Sequence, residues 1–185
     1  MTDAVPGGQA TGSLPDMSRS LDLTVESPAS VEQVVSAFGD RTYWDARLAE
    51  FGGGTATLDD LTVDDAGDVA VALRLGLVRD RLPRFITQLH SGDLEMLRKE
   101  TWRKTDKGHI RGDIDVTVSG APVSAIGHAF LSPDGDGSRL NYNATIKVKI
   151  PLVGGKIESY MCGQTIDEIT KLQDFTNDWI AENAS

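Results

Sequence analysis

The hydrophobic and polar positions at the start of the chain predict one strand and two short helices. Apolar residues alternate with polar ones over 21–25, which is the period of a half-buried strand. Ser30 and Gln33 then have the spacing of a capping box before an apolar helical stripe. Asp40 can cap a second short helix that runs to Phe51 and ends in glycines.

Six further strands are predicted by alternation between segments rich in turn-forming residues. They cover 55–63, 69–77, 94–104, 109–118, 122–132 and 138–150. The last has the clearest pattern, with one apolar face and one polar face, as in a sheet that is covered on one side only. Its apolar face consists of Leu140, Tyr142, Ala144, Ile146, Val148 and Ile150. Between the second and third of these six strands, 79–90 predicts at most a short amphipathic turn of helix.

From about residue 155 to 182 the period becomes helical, and the helix is roughly 40 Å long at about 1.5 Å per residue. One arc of it carries Ile157, Met161, Thr165, Ile169, Leu172, Phe175 and Trp179. It is the only predicted element long enough to cover the apolar face of the sheet. The predicted fold class is α+β: a curved antiparallel sheet of about seven strands wrapped around a long C-terminal helix. Such an arrangement is expected to trap a cavity.

This order of elements resembles the helix-grip fold of the START-like (SRPBCC) superfamily. The segment NYNATIKVKIPLVGGKIE (141–158) and the helix ending DFTNDWI (174–180) resemble an uncharacterised bacterial family within it. The resemblance covers about Arg19 to Ile180. It implies a hydrophobic cavity between sheet and helix that binds a lipid, a polyketide or another apolar small molecule. The superfamily also contains aromatase/cyclases and hydrolase-like members, so the fold leaves the function open.

The domain organisation follows from a change of composition near residue 18. Residues 1–17 are rich in Gly, Pro, Ala and Thr, contain no Lys or Arg, and predict a disordered tail. Residues 18–185 are predicted to form one START-like domain. Met17 directly precedes the first patterned segment and is therefore a candidate alternative start.

The composition and the net charge limit the classes of partner that the chain is expected to bind. With 39% hydrophobic and 25% charged residues the chain reads as a soluble globular protein. A net charge of −10 opposes a general affinity for nucleic acid or anionic lipid, although Arg79, Arg81 and Arg84 form a local basic cluster. The single cysteine, Cys162, fits a reducing compartment, and no apolar run of 18 residues predicts a membrane span. We therefore expect a cytoplasmic protein; the oligomeric state stays open.

The segment KVKIPLVGGKIESY, residues 147–160, has the order of parts of a phosphate-binding loop. Such a loop needs a glycine five residues before its Gly-Lys pair and a Ser or Thr after the lysine. These positions hold Ile150 and Ile157. The phosphate interpretation therefore fails, and Gly154 and Gly155 are predicted to let the chain reverse into the helix.

The apolar faces of two strands and of the helix predict the lining of the cavity. The residues expected there are Tyr142, Ile146, Met161, Thr165, Ile169, Trp102 and Met96. Four polar residues are candidates to join them: Glu158, His128, Arg98 and Glu100.

Each polar candidate has a structural alternative. Glu158 is either a polar group in the cavity or a carboxylate stabilised by the start of the helix. His128 faces the cavity only if its side of the strand is the concave one. Arg98 and Glu100, two residues apart and therefore on one face, are either a cavity-facing pair or solvent-facing charges on an edge strand.

Three functions of different classes remain open from the sequence. The first is a non-catalytic carrier or sensor of an apolar ligand, the second a cyclase/aromatase-like enzyme, and the third a structural or interaction module with a filled core. The histidines and the cysteine lack the spacing of a zinc site, and no Ser-His-Asp order is present. We assign no catalytic residue and expect neither metal nor cofactor.

Overall fold

The computed structural model describes residues 18–53, 55–77, 84–88 and 92–183. The predicted tail 1–17, together with Arg79 and Arg81 of the predicted basic cluster, lies outside the described residues. The elements are β1 (Ser18–Ser27), α1 (Val31–Phe38), α2 (Arg41–Phe51), β2 (Ala56–Val63), β3 (Val69–Leu77), α3 (Arg84–Thr87), β4 (Leu94–Lys104), β5 (Ile110–Ser119), β6 (Val123–Asp134), β7 (Gly137–Val148) and α4 (Gly154–Asn183).

The strands form one antiparallel sheet in the order β1-β7-β6-β5-β4-β3-β2. Strands β2 to β7 are a meander, and β1 pairs with β7 at the far edge. The register brings the apolar set of each strand to one face, the concave face, which α1, α2 and α4 cover. The predicted fold class is confirmed, and the bounds of the six later strands agree with the prediction to within about two residues.

Two glycines inside the sheet make room for aromatic rings on the concave face. A Cβ atom at Gly127 would lie 2.5 Å from the hydroxyl of Tyr142, and one at Gly112 would lie 2.6 Å from the ring of Trp102. Glycine inside a strand often marks such a close approach. Both rings therefore lie flat against the neighbouring strands, and both are buried.

The two short helices begin at the caps that the sequence predicts. The Ser30 hydroxyl accepts from the Gln33 backbone N–H, and the Gln33 side chain accepts from the Ser30 N–H in return. Asp40 accepts from the Thr42 N–H at 2.7 Å. These helices deliver Phe38, Tyr43 and Trp44 to an aromatic cluster at one end of the concave face. Trp102, Phe175 and Trp179 complete that cluster.

Helix α4 is fixed to the rest of the fold near both ends. In its C-terminal half, the Thr176 hydroxyl lies 2.8 Å from the Tyr43 hydroxyl, and the Asn177 Oδ1 atom accepts from the Ser27 hydroxyl at 2.6 Å. Near its start, a Glu158 carboxylate oxygen accepts from the Val148 N–H at 3.0 Å. These contacts hold α4 along β1 and β7.

The reversal from β7 into α4 differs from the prediction that two glycines make it. The left-handed residue is Leu152, with φ of 69°, whereas Gly154 is already the first residue of the helix. Gly154 matters for another reason: a Cβ atom there would lie 2.7 Å from the carbonyl oxygen of Val148. The close approach of backbones that the sequence suggested is thus present at Gly154, but the turn itself is made by residues before it.

We predict that Gly154→Ala lowers the free energy of unfolding by about 1–3 kcal/mol, since the new methyl group meets a backbone atom that cannot rotate away. Gly163→Ala is the matched control on the same helix, because a Cβ atom there meets nothing within 4 Å. That control should raise stability by about 0.5–1 kcal/mol through helix propensity. Urea unfolding of both variants measures the contrast, and equal effects would contradict the close approach.

Candidate functional site

The concave face is filled differently at its two ends. The closed end is the one where β2, β4 and β6 finish, and the aromatic cluster fills it. The cavity end is the opposite one, where β3, β5 and β7 finish and α4 begins. At the cavity end a space of about 450 Å³ remains between the sheet and the first half of α4.

One wall of this cavity is apolar and the other is mixed. The sheet wall consists of Leu77, Leu94, Met96, Val118, Val123 and Ile150. The helix wall consists of Ile157, Tyr160, Met161, Gln164, Thr165 and Glu168. The β5–β6 turn, 120–122, and Ile86 of α3 complete the lining. A bound molecule would therefore meet hydrocarbon on the sheet side and polar atoms on the helix side.

The polar groups of the helix wall form a line. Tyr160, Gln164 and Glu168 follow each other at intervals of four residues, which places them on one face of the helix. Eight residues of helix correspond to about 12 Å. The wall thus offers a phenol, an amide and a carboxylate along the length of a small ligand.

Of the predicted lining residues, the structure brings Met96, Met161 and Thr165 to the cavity. Tyr142, Ile146, Trp102 and Ile169 are buried in the packed core and do not line it. The physical reason is clearest for the aromatic pair. Trp102 packs against Phe38 with ring centroids 4.7 Å apart, and Tyr142 covers Gly127. For these four residues, the prediction of the lining was wrong because other side chains already fill the space above them.

Behind the cavity, β4 carries a buried charged cluster. The Glu100 side chain is 1% exposed, and its Oε1 atom accepts from the Arg98 Nε at 2.6 Å. Its Oε2 atom accepts from the Trp102 indole at 2.9 Å. A second guanidinium, that of Arg47 on α2, lies 3.6 Å from the same carboxylate and 4.7 Å from the Trp44 ring. Arg98 and Glu100 thus form a pair on the concave side of the sheet.

The cluster holds its charges firmly. Burial opposes ionisation of Glu100, but Arg98 and Arg47 outweigh it, and the pKa of the carboxyl is lowered. Burial likewise opposes the charge of Arg98, but Glu100, Glu168 and Tyr142 outweigh it and raise the pKa of the guanidinium. These groups therefore act as fixed charges and polar anchors rather than as proton donors at neutral pH.

Arg98 connects the cluster to the cavity. It follows Met96, a lining residue, on the same face of β4, and its side chain is 17% exposed. It also interacts electrostatically with Glu168 on the opposite wall. Arg98 and Glu100, both predicted as polar cavity residues, do not line the cavity themselves; the pair lies next to Met96, on its inner side.

The other two polar candidates lie elsewhere. Glu158 is buried, but its carboxylate caps the Val148 N–H, and it is not a lining residue. His128 lies on the outer face, which corrects its assignment as a cavity residue; its Nδ1 atom is 2.9 Å from Asp113 Oδ1. The reason is that Ala129 and Leu131, its neighbours in β6, take the concave side.

Arg47 is the functional candidate that the sequence interpretation missed. A signal was present: Arg47 follows Tyr43 by four residues and Trp44 by three, so it shares their buried helix face. The lining by the β5–β6 turn was also missed. Its sequence SGAPV contains no charged residue, which is unusual for a turn in so acidic a chain.

The described residues contain neither a cluster of metal ligands nor a cysteine thiol with a lowered pKa. Within 18–53, 55–77, 84–88 and 92–183, no three His, Cys, Asp or Glu side chains come together as a metal site. Burial raises the pKa of the Cys162 thiol, which disfavours the reactive thiolate. None of the helices in the described part of the chain is both long and apolar enough to cross a membrane.

The model of the protein family of unknown function DUF2505 matches residues 22–180, and the chain belongs to this family. The uncharacterized proteins Rv0481c of Mycobacterium tuberculosis and Mb0491c of Mycobacterium bovis are each 40% identical to it over 173 residues. Those 173 residues are 90% of this chain and 99% of each relative.

Solved structures share the fold at low sequence identity. TTHA0849 from Thermus thermophilus matches with a TM-score of 0.61 at 15% identity, over 90% of this chain and 100% of that one. Norcoclaurine synthase from Thalictrum flavum, in complex with dopamine and hydroxybenzaldehyde, matches with a TM-score of 0.55 at 14% identity, over 100% and 99%. These neighbours place the chain in the START-like helix-grip fold.

We predict that Glu100→Gln costs about 3–5 kcal/mol of the free energy of unfolding at neutral pH, because it leaves two buried guanidinium groups without their counter-charge. Glu95→Gln is the matched control on the same strand. Glu95 pairs with Arg74 at 2.7 Å, but both side chains are well exposed, and the loss should stay below about 1 kcal/mol. If urea unfolding gives similar losses of unfolding free energy for the two variants, the ion pairs of Glu100 contribute no more to stability than an exposed pair does.

The pH dependence of the stability difference between wild type and Glu100→Gln tests the lowered pKa of the Glu100 carboxyl. A folded-state pKa below the usual value near 4.5 means that the ionised carboxylate stabilises the fold above that pH. This contribution is lost as the pH falls through the folded-state pKa. The stability difference between wild type and Glu100→Gln should therefore be constant near neutral pH and shrink below about pH 4.5. A difference that grows on acidification would give the pKa shift the opposite sign.

Proposed function

We propose that this member of the DUF2505 family binds a hydrophobic small molecule in the cavity between the sheet and α4, without catalysing a reaction on it. The observation that carries the proposal is the volume of about 450 Å³ behind an apolar sheet wall. Ligand sites typically start at about 300 Å³. A filled core, the structural alternative, is difficult to reconcile with that volume.

The lining supports an elongated ligand with an apolar body. Leu77, Leu94 and Val118 on the sheet offer only hydrocarbon, which suits a lipid or polyketide-like skeleton. Along the helix wall, about 12 Å of phenol, amide and carboxylate groups suits hydroxyl or amine substituents on one edge of the ligand.

The enzymatic alternative has weaker support. Glu158 and Glu100 use their carboxylate oxygens for hydrogen bonds within the fold, and His128 lies on the outer face. The polar groups that do line the cavity, Tyr160, Gln164 and Glu168, are exposed, whereas a cyclase-like reaction needs a group that moves a proton at a substrate shielded from water. The norcoclaurine synthase neighbour shares the fold but only 14% of the sequence, so its activity is not transferred.

We place the protein in the cytoplasm as part of this proposal, since a single cysteine forms no internal disulfide.

Thr165→Phe tests the site by filling it. The new ring projects from the helix wall into the cavity, and the affinity for a fluorescent fatty-acid probe should fall about tenfold or more. Thr170→Phe makes the same change on the exposed side of the same helix and should leave probe binding unaltered. Titration by fluorescence, with thermal unfolding as a check on folding, gives the comparison. Absence of probe binding to wild type, or equal binding by Thr165→Phe, would refute the proposal.

A further inference from the structure

The cavity opens to solvent between two connections of the chain. Among its lining residues, Gly120, Pro122 and Tyr160 are exposed at these connections, and Gln164 and Glu168 are exposed further along the helix wall. The β5–β6 turn and the β7–α4 connection lie side by side there, since the Lys149 N–H donates to the Pro122 carbonyl at 3.0 Å. A ligand that enters by this opening passes both connections.

Among the described residues, the most exposed apolar side chain beside this opening is Leu152. It lies on the connection between Ile150 and Ile157, both of which line the cavity, and it is fully exposed, at 105% of the reference area. Its φ of 69° is a left-handed conformation, which a leucine adopts only against steric resistance. The fold would lose neither packing nor backbone geometry if an asparagine replaced it. The packing of the described residues therefore does not require a leucine at position 152.

The charge around Leu152 differs from that of the rest of the chain. Neither 116–133 nor 137–157 contains an Asp or Glu, although the chain has 28 of them. Two exposed lysines, Lys149 and Lys156, flank Leu152, and Arg84 is exposed on α3.

The turns at the closed end are acidic by contrast. They carry one lysine, Lys107, against six aspartates: Asp64, Asp65, Asp68, Asp106, Asp134 and Asp136. Asp93 and Glu168 also lie at the cavity end, so the charge contrast belongs to the two connections rather than to the whole end. A negatively charged surface would be attracted to the two connections and repelled by the turns at the closed end.

From these observations we infer that the cavity end docks on an anionic lipid bilayer, with Leu152 inserted among the lipids and the flanking lysines at the headgroups. A bilayer fits because it offers both hydrocarbon and a layer of negative charge, and because it is a source or destination for an apolar ligand. The inference extends the proposed function and rests on it for its purpose, although docking itself does not require a bound ligand.

The net charge of −10 does not prevent this docking. At physiological ionic strength charges are screened over about 8 Å, so the acidic closed end, a whole strand length away, is largely screened from a surface at the cavity end. The same charge distribution orients the molecule as it approaches. It also limits the attraction to what a few cationic side chains and one leucine supply, so binding should be reversible and sensitive to salt.

The test is flotation of the full chain with vesicles of phosphatidylcholine, with and without phosphatidylserine. Wild type should bind the vesicles that contain phosphatidylserine and lose binding as salt is added. Leu152→Asn should reduce the partition coefficient about tenfold, since it removes one buried leucine side chain. Lys149→Gln should reduce it about fivefold. Because asparagine tolerates the left-handed conformation, Leu152→Asn should unfold at the same temperature as wild type or higher.

Val63→Thr is the matched control, because Val63 is an exposed apolar residue at the closed end. It should bind vesicles as wild type does. Docking is refuted if wild type ignores phosphatidylserine, if Leu152→Asn binds equally well, or if Leu152 instead holds a dimer that size-exclusion chromatography detects. Probe titration without vesicles separates the two proposals. If the protein binds the probe but not the vesicles, the cavity function stands and docking is refuted. If it binds the vesicles but not the probe, only the cavity function is refuted.

Discussion

The longest helix, α4, has 30 residues but packs mainly along β1 and β7 of a seven-stranded sheet, and the other features of the interior follow from that constraint. The helix is fixed by Glu158 to the end of β7 and by Thr176 and Asn177 to α2 and β1. It therefore follows one side of the sheet, and the concave face of β3 to β6 must be filled by other means. At the closed end aromatic rings from α1 and α2 do so. At the cavity end no described residue supplies a filling of comparable size, and a space remains.

The charged cluster between these two regions is better explained by the cavity than by stability. A buried ion pair is rarely more stable than apolar groups of the same size, because desolvation offsets the attraction. What Arg98 and Glu100 supply is fixed charge next to the inner side of the cavity. If the helix collapsed onto β4, the part of Arg98 that remains accessible would lose its solvent. Charge at this position therefore opposes closure of the cavity, which an apolar side chain would favour.

Much of the fold could be predicted from the sequence because its signals are local. Alternation along 138–150 reports burial of one face, and the Ser30 and Asp40 caps act within a single turn. The lining of the cavity depends on distances between elements, which no local pattern contains. Both faces of β6 are apolar, so periodicity could not place His128. Trp102 lies outside the cavity because it joins the aromatic cluster at the closed end, and Tyr142 because Gly127, one strand away, leaves room for its ring.

In the segment 149–156, the requirement for glycine at position 154 explains why the left-handed conformation falls on Leu152. Gly154 is the first residue of the helix, and a Cβ atom there would lie 2.7 Å from the carbonyl oxygen of Val148. The chain therefore completes its reversal before Gly154, and Pro151, with φ restricted near −65°, cannot take the left-handed position. That position falls on Leu152, where glycine or asparagine would fit with less strain. This leucine is strained, fully exposed and close to the opening of an apolar cavity. The contact that accounts for it is therefore one outside the folded chain, with the bilayer that we propose.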